Sequence, residues 1–371
     1  MRVLFQSRKT LFSVRGGDTV QILKTKEYLE KLGVQVDLSA DLEPDLKEYD
    51  AVHLFNLTRP QEVYLQCKNA KKQAKTVLLS PIYILYTEYE RQGREGLFKL
   101  FTKLLSSGQV EYLKVFARAV KNGELHKGTF ALFLRGYRTL QKKILNMADL
   151  LLPNSESEMN RIAEDFCLNY FPHIIVPNGV DANLFAADKV KIKKDLEKFK
   201  DCVLCVARIE GLKNQLNVVR AMEKLPYKLV LVGKVAPNHK RYFSHIKKIA
   251  DKQVYILGEA NFELLVQLYY LAKVHVLASW FETTGLSSLE AGIMSCNLVI
   301  TDKGDTKEYF REYAYYCEPN SVESIRQAII KAHESPVNPK LKEHILNKFT
   351  WEKTAEKTLG AYKGTIEERT Q

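Results

Sequence analysis

Apolar and polar positions alternate with two different periods along this chain, and the switches between them mark its elements. The run RVLFQS predicts a strand, KTLFSVRGGD a loop, and TVQILKTKEYLEKL a helix ended by Gly33, after which VQVDLS predicts a second strand. DAVHLF, a helix near Gln61 to Ala70, and TVLLS continue the series. Strands that are apolar throughout and separated by helices predict a parallel sheet covered on both faces. A second series starts near residue 202, with strands CVLCVA, KLVLVG, QVYILG, VHVLAS, NLVITD and AYYCE, each followed by a helical stretch or a short loop. Between the two lies IIVPNGVDANLF, whose Pro-Asn-Gly predicts a tight turn. The expected division is therefore a Rossmann-like domain over 1–177 and a second over 178–349, with ligand bound in a cleft between them. Trp351, Ala355, Leu359 and Tyr362 line one face of a last helix. That helix, within 350–371, is expected to pack back on the first domain.

Composition is that of a globular α/β protein: 46% of the 371 residues are apolar and 27% charged. The N-terminus lacks the features of a signal peptide, and no stretch approaches the roughly 20 apolar residues that span a bilayer, so a cytosolic protein is expected. Six dispersed cysteines agree with that compartment. Cys202 and Cys205 form a C-x-x-C, but within a strand residues three apart face opposite sides, which makes them core residues rather than a redox or zinc pair. Net charge is +12, and residues 91–148 hold twelve Lys and Arg against three Glu, which is +9. An anionic partner is expected there.

Parallel sheets bind ligands beyond the carboxyl ends of their strands, so the informative loops are those that follow strands. Arg15-Gly16-Gly17-Asp18 places two glycines before a helix, where backbone can approach an anion. ARIEGLKN leaves Arg208 and Lys213 at the end of a strand, with no acid near enough in sequence to pair with both. A planar fork and a point charge suit a diphosphate. FETTGLSSLEAGIM then sets Glu282 and Glu290 about a helix start. The N–H groups of Thr284, Gly285, Leu286 and Ser287 point outward there as an anion site. Glu290, an acceptor when ionised, suits a ribose diol, and Glu282 a sugar hydroxyl.

These residues carry a resemblance. Glu282 and Glu290 are spaced E-x7-E, and ETTGLSSLEAG resembles the signature of the retaining nucleotide-sugar glycosyltransferases of family four, which have the GT-B fold of two Rossmann-like domains facing across a cleft. ARIEGLKN, PNGVDANLF, RGGD and ADLLLPNSESE are similar to further stretches of that family. The resemblance implies metal-independent transfer of a hexosyl group from a nucleoside-diphosphate sugar, itself a substrate, so that no cofactor is implied. It assigns catalytic roles to Glu282, Arg208 and Lys213. Donor-binding roles fall to Gly16, Gly17, Thr284, Gly285, Leu286, Ser287 and Glu290, and a metal to none.

Two departures accompany it. Ala207 stands where the family has Gly, and SPIY, at 80–83, offers no histidine where many members place one. His53 follows the preceding strand, but a lone histidine at a strand end is more often structural. An epimerase of the same fold and a non-catalytic sugar-nucleotide-binding protein stay open as alternatives. In 91–148, Leu97, Leu100, Phe101 and Leu104 define one apolar face, and Leu132, Phe133 and Tyr137 sit among Arg135, Arg138, Lys142 and Lys143. Such helices either pack on the first domain or lie peripherally on the inner face of an anionic membrane. With the membrane, a glycan or lipid-linked acceptor in envelope polysaccharide synthesis is expected. No nucleic-acid motif accompanies the charge.

Overall fold

The computed structural model describes residues 1–93, 112, 126–169, 171–185 and 190–370. They form two compact units. The first comprises Met1–Ile84, the described residues of Leu100–Asn178, and Trp351–Gln371; the second comprises the described part of Leu85–Lys99 and Gly179–Thr350.

In the first unit, β1 (Arg2–Gln6), β2 (Gln35–Ser39), β3 (Ala51–Phe55), β4 (Thr76–Ser80) and β5 (Leu150–Leu151) form a parallel sheet in the order β2-β1-β3-β4-β5. Every residue of β3 and β4 is buried, which is why these strands read as unbroken apolar runs. The helix Trp351–Thr370 packs against the helix Gly17–Lys31 of this unit. Thr354 Oγ1 donates to Pro177 O at 2.7 Å, and Tyr362 Oη lies 2.6 Å from His53 Nδ1.

His53 is thereby a core residue. Its Nε2 lies 2.9 Å from Ser80 Oγ, its ring stacks on Phe55 with centroids 4.1 Å apart, and it is 1% exposed. Burial lowers its pKa to about 3, so the ring is neutral.

In the second unit, β6 (Cys202–Val206), β7 (Leu229–Val232), β8 (Val254–Gly258), β9 (Ala272–Leu277), β10 (Asn297–Thr301) and β11 (Ala314–Cys317) form a parallel sheet in the order β11-β10-β9-β6-β7-β8. One apolar cluster takes Cys202, Leu204 and Val230, the other Val203, Cys205 and Leu231. The C-x-x-C cysteines therefore face opposite sides of the sheet, and burial pushes both thiols up to about 12.

The stretch around Leu97 to Leu104 lies outside the described residues. The helices Lys127–Arg135 and Tyr137–Met147 pack against Pro60–Lys72 and bury Leu132, Tyr137, Leu140 and Ile144. Leu132 and Tyr137 thus face the protein. Phe130 and Leu134, four residues apart, remain 61% and 87% exposed beside the exposed Lys127, Arg135 and Arg138.

His53 carries a pH prediction. Its folded pKa is depressed, so between about pH 6.5 and 3 the unfolded chain binds the extra proton, and stability present above that window is lost as pH falls through it. The loss should approach about 1.4 kcal/mol per pH unit for one proton. Urea unfolding at pH 7 and pH 5 should show a smaller loss over this interval in His53→Gln than in wild type.

Candidate functional site

Strand order in the second sheet reverses direction between β6 and β9, since β7 and β8 extend one way and β10 and β11 the other. The loops leaving β6 and β9 therefore start from adjacent strands at the carboxyl edge of the sheet, where parallel sheets bind their ligands. The loop after β6 makes one tight turn at Gly211–Lys213 and ends on Asn214, whose φ of 60° is left-handed. Asparagine tolerates that conformation. Its amide donates to Ala278 O at 3.0 Å and to Pro319 O at 2.7 Å, which ties the loops after β6, β9 and β11 together.

Two further bonds join the β6 and β9 loops. Trp280 N–H donates to Leu212 O at 2.9 Å, and Lys213 Nζ meets Glu282 Oε1 at 2.5 Å. Lys213 and Glu282 side chains are 20% and 9% exposed, so the pair sits in poorly solvated surroundings, where such a bond is strong and loss of either partner is costly. Arg208 pairs with Glu210, two residues on, at 2.9 Å, and Gln215 Nε2 holds its carbonyl at 2.8 Å. Each cation thus has its own acid. The sequence offers Glu210 as a partner for Arg208, but only the fold brings Glu282 to Lys213 across 69 residues. An ammonium carries three N–H donors and a guanidinium five, so neither pairing uses up the donors.

The backbone of Glu282 is clamped by the loop after β10. Its N–H donates to Lys303 O at 3.3 Å, and its carbonyl accepts from Asp305 N–H at 2.9 Å. Gly304 lies between, with φ +85°, and a Cβ there would fall 2.1 Å from Glu282 O. Gly304 is a position that the sequence reading missed. Its only signal is a glycine three residues past the strand NLVIT.

Beyond Glu282 the chain enters the helix Leu286–Ile293 through Gly285, at φ +77°. Thr284 is buried, and Leu286 and Ser287 are half-buried in the first turn. The helix start leaves its first N–H groups without carbonyls four residues back. Glu290 lies farther along. It is half-buried as a residue, and its Oε2 accepts from Tyr269 Oη at 2.8 Å. Burial of the carboxyl pushes its pKa up to about 7, while the Tyr269 bond works in the opposite direction. The two acids of the E-x7-E therefore stand in different environments.

In the first unit the order reverses between β1 and β3, and Gly16 and Gly17 sit on the loop after β1. Arg8 shapes that loop by donating to Asp18 Oδ2 at 2.8 Å, Thr10 O at 2.7 Å and Val14 O at 2.8 Å. Burial raises the Asp18 carboxyl, but Arg8, Asn56 and the Thr19 N–H outweigh it and hold the group below its ordinary value. Gly16 is extended at φ −149°, and a Cβ on Gly17 would meet nothing within 4 Å. Neither a left-handed turn nor internal crowding accounts for Gly17, which leaves its backbone open to approach from outside.

The loop after β4 holds Ile82 at φ 46°, a strained value for a β-branched residue. Glu158, fully buried, accepts from Tyr83 N–H at 2.5 Å and Asn154 N–H at 2.6 Å and so binds the loops after β4 and β5. Nothing in the sequence singles out this role for Glu158, because its partners are backbone groups of distant loops.

Residues 187–348 match the family of glycosyl transferases group 1. An uncharacterized glycosyltransferase of Methanocaldococcus jannaschii is 25% identical over 214 residues, covering 52% of this chain and 54% of that protein. The serotype-specific mannosyltransferase WbdA of Escherichia coli is 28% identical over 187 residues, covering 46% of this chain and 23% of that one. The chain thus spans about half the length, or less, of these relatives. Among solved structures, sucrose-phosphate synthase of Thermosynechococcus elongatus superposes with a TM-score of 0.72 at 14% identity, over 99% of this chain and 100% of that one. Anabaena HepE, solved in complex with UDP and glucose, gives 0.67 at 14% identity over 98% and 100%. Residues 187–348 thus form a domain of the glycosyl transferases group 1 type, on a chain whose two parallel-sheet architecture is that of the GT-B glycosyltransferases.

Proposed function

We propose that the protein transfers a hexosyl group from a nucleoside-diphosphate sugar to an acceptor hydroxyl, with retention at the anomeric carbon, as the family-four resemblance implies. The observation that carries this is the convergence of Lys213 and Glu282 at the switch point of the second sheet, on loops that also carry Arg208 and a helix start. The anomeric C–O bond to the diphosphate breaks, the acceptor oxygen bonds to that carbon on the same face, and the acceptor proton passes to the departing phosphate. Negative charge grows on the leaving group. Arg208, Lys213 and the N–H groups of Thr284, Gly285, Leu286 and Ser287 are placed to stabilise it, and the reading needs no metal for that task. Glu290 accepts from the ribose diol, Glu282 orients the transferred sugar, and Gly16 and Gly17 take the donor-binding role that the resemblance gives them.

The neighbour HepE was solved with UDP and glucose, which supports a nucleotide sugar as the donor class. We assign the acceptor to a glycan or a lipid-linked sugar of envelope polysaccharide synthesis, in the cytoplasm at the membrane's inner face. Phe130 and Leu134 support that reading: two exposed apolar side chains one turn apart, flanked by Lys127 and Arg135, match an anionic lipid surface in both apolarity and charge.

Three outcomes test this. In a screen of UDP-, GDP-, ADP- and TDP-sugars, Lys213→Ala should weaken binding of the donor that stabilises wild type by about tenfold or more, whereas Glu282→Ala should chiefly lower turnover. Equal donor affinity in the Lys213 variant would remove its role. Sugar nucleotides have no titrating phosphate near neutrality, so their affinity should rise from pH 6 to 8 as Glu290 ionises through about 7, and this rise should vanish in Glu290→Gln. Finally, wild type should sediment with vesicles containing phosphatidylglycerol, and Phe130→Ser/Leu134→Ser should do so several-fold less; a variant that sediments as wild type does would discard this surface.

A further inference from the structure

Residues 85–93 follow β4 of the first sheet in sequence, yet they pack within the second unit. Tyr89–Gly93 forms a single wide turn of π type, a form that recurs at functional sites. Its contacts, together with that of the preceding Glu88, fall on four loops at the carboxyl edge of the second sheet. A Cβ on Gly211 would lie 2.4 Å from Tyr89 Oη, and a Cβ on Gly93 would lie 2.5 Å from the Trp280 indole and 2.7 Å from the Tyr89 ring. Gln92 Oε1 accepts from Asn320 Nδ2 at 3.1 Å, and Glu88 Oε1 lies 3.4 Å from Lys303 Nζ.

The places touched are those that govern the ion pair. Gly211 opens the turn that ends on Lys213, Trp280 stands two residues before Glu282, and Lys303 supplies the carbonyl that holds the Glu282 N–H. Only glycine fits at 211 and 93, because the space a methyl group would need is filled by Tyr89 and Trp280. The turn does not cover the two cations. Arg208 keeps 38% and Lys213 20% of its side-chain exposure with the turn in place.

We propose that Tyr89–Gly93 is a positioning element for the transfer site: Tyr89 against Gly211 and Gly93 against Trp280 set the register in which Lys213 meets Glu282. This rests on the reading of that pair as part of a sugar-nucleotide site. It adds two positioning residues from a segment that the sequence places with the other domain.

The test exploits the specific clash. Gly211→Ala should lower kcat for the donor about tenfold, because the added methyl group displaces Tyr89 Oη and with it the turn before Lys213. Adding Tyr89→Phe removes the oxygen and leaves the ring carbon at 3.1 Å as the nearest atom, so Gly211→Ala/Tyr89→Phe should recover most of the lost turnover. Melting temperatures of the two should agree within a few degrees, so that the recovery of turnover reports positioning rather than folding. Gly93→Ala, examined with Trp280 as the sole tryptophan in a Trp351→Phe background, provides a second route should Gly211→Ala fold poorly. It should shift Trp280 emission and lower kcat together. Folded variants with wild-type turnover, or absence of recovery in the double variant, would overturn the positioning role while the donor reading stands. Wild type that turns over no sugar nucleotide would overturn both.

Discussion

The ion pair between Lys213 and Glu282 is the interaction on which the rest of the second unit's site depends. It forms where strand order reverses, so each partner hangs from a loop that the sheet itself carries in a different direction. Two opposite charges in poorly solvated surroundings attract far more strongly than on an open surface, and leaving one of them alone there is expensive. The neighbouring backbone bonds follow the same geometry. Trp280 to Leu212, Asn214 to Ala278 and Pro319, and Glu282 to Lys303 and Asp305 all hold the loops at the separation the pair requires.

The site divides its carboxylates by environment. Glu282 is held against an ammonium, whereas Glu290 shares a hydrogen bond with buried Tyr269 and has its pKa raised toward neutrality. The two acids of the E-x7-E thus meet different partners, an ammonium for one and a phenol for the other. The buried histidines belong elsewhere in this picture. His53 and His275 are both fully enclosed and held neutral by burial, His53 between Ser80 and Tyr362 and His275 beneath Ser288.

The glycines make a similar division. Gly304 and Gly285 adopt left-handed φ values, and Gly304 also lies against the Glu282 carbonyl, so the chain's own conformation demands them. Gly17 has neither reason. Gly17 lies instead in open space at the start of its helix, where its backbone is exposed.

What the sequence determined by itself was local. Unbroken apolar runs such as CVLCV and NLVIT specify strands buried on both faces, and the glycine in ETTGLSSLE specifies where a helix begins, because these depend on periodicity and on the φ of single residues. The spacing of Glu282 and Glu290 was legible for the same reason. Strand order, and with it the adjacency of β6 and β9, was decided only by the tertiary structure, since no local pattern says which strand lies beside which. The pairing of Lys213 with Glu282, the clamp of Gly304, the buried grip of Glu158 on two loops and the packing of Tyr89 against Gly211 all arise from contacts between residues far apart in the chain. Such contacts carry no periodic signal, because each depends on where the sheets deliver the ends of their strands.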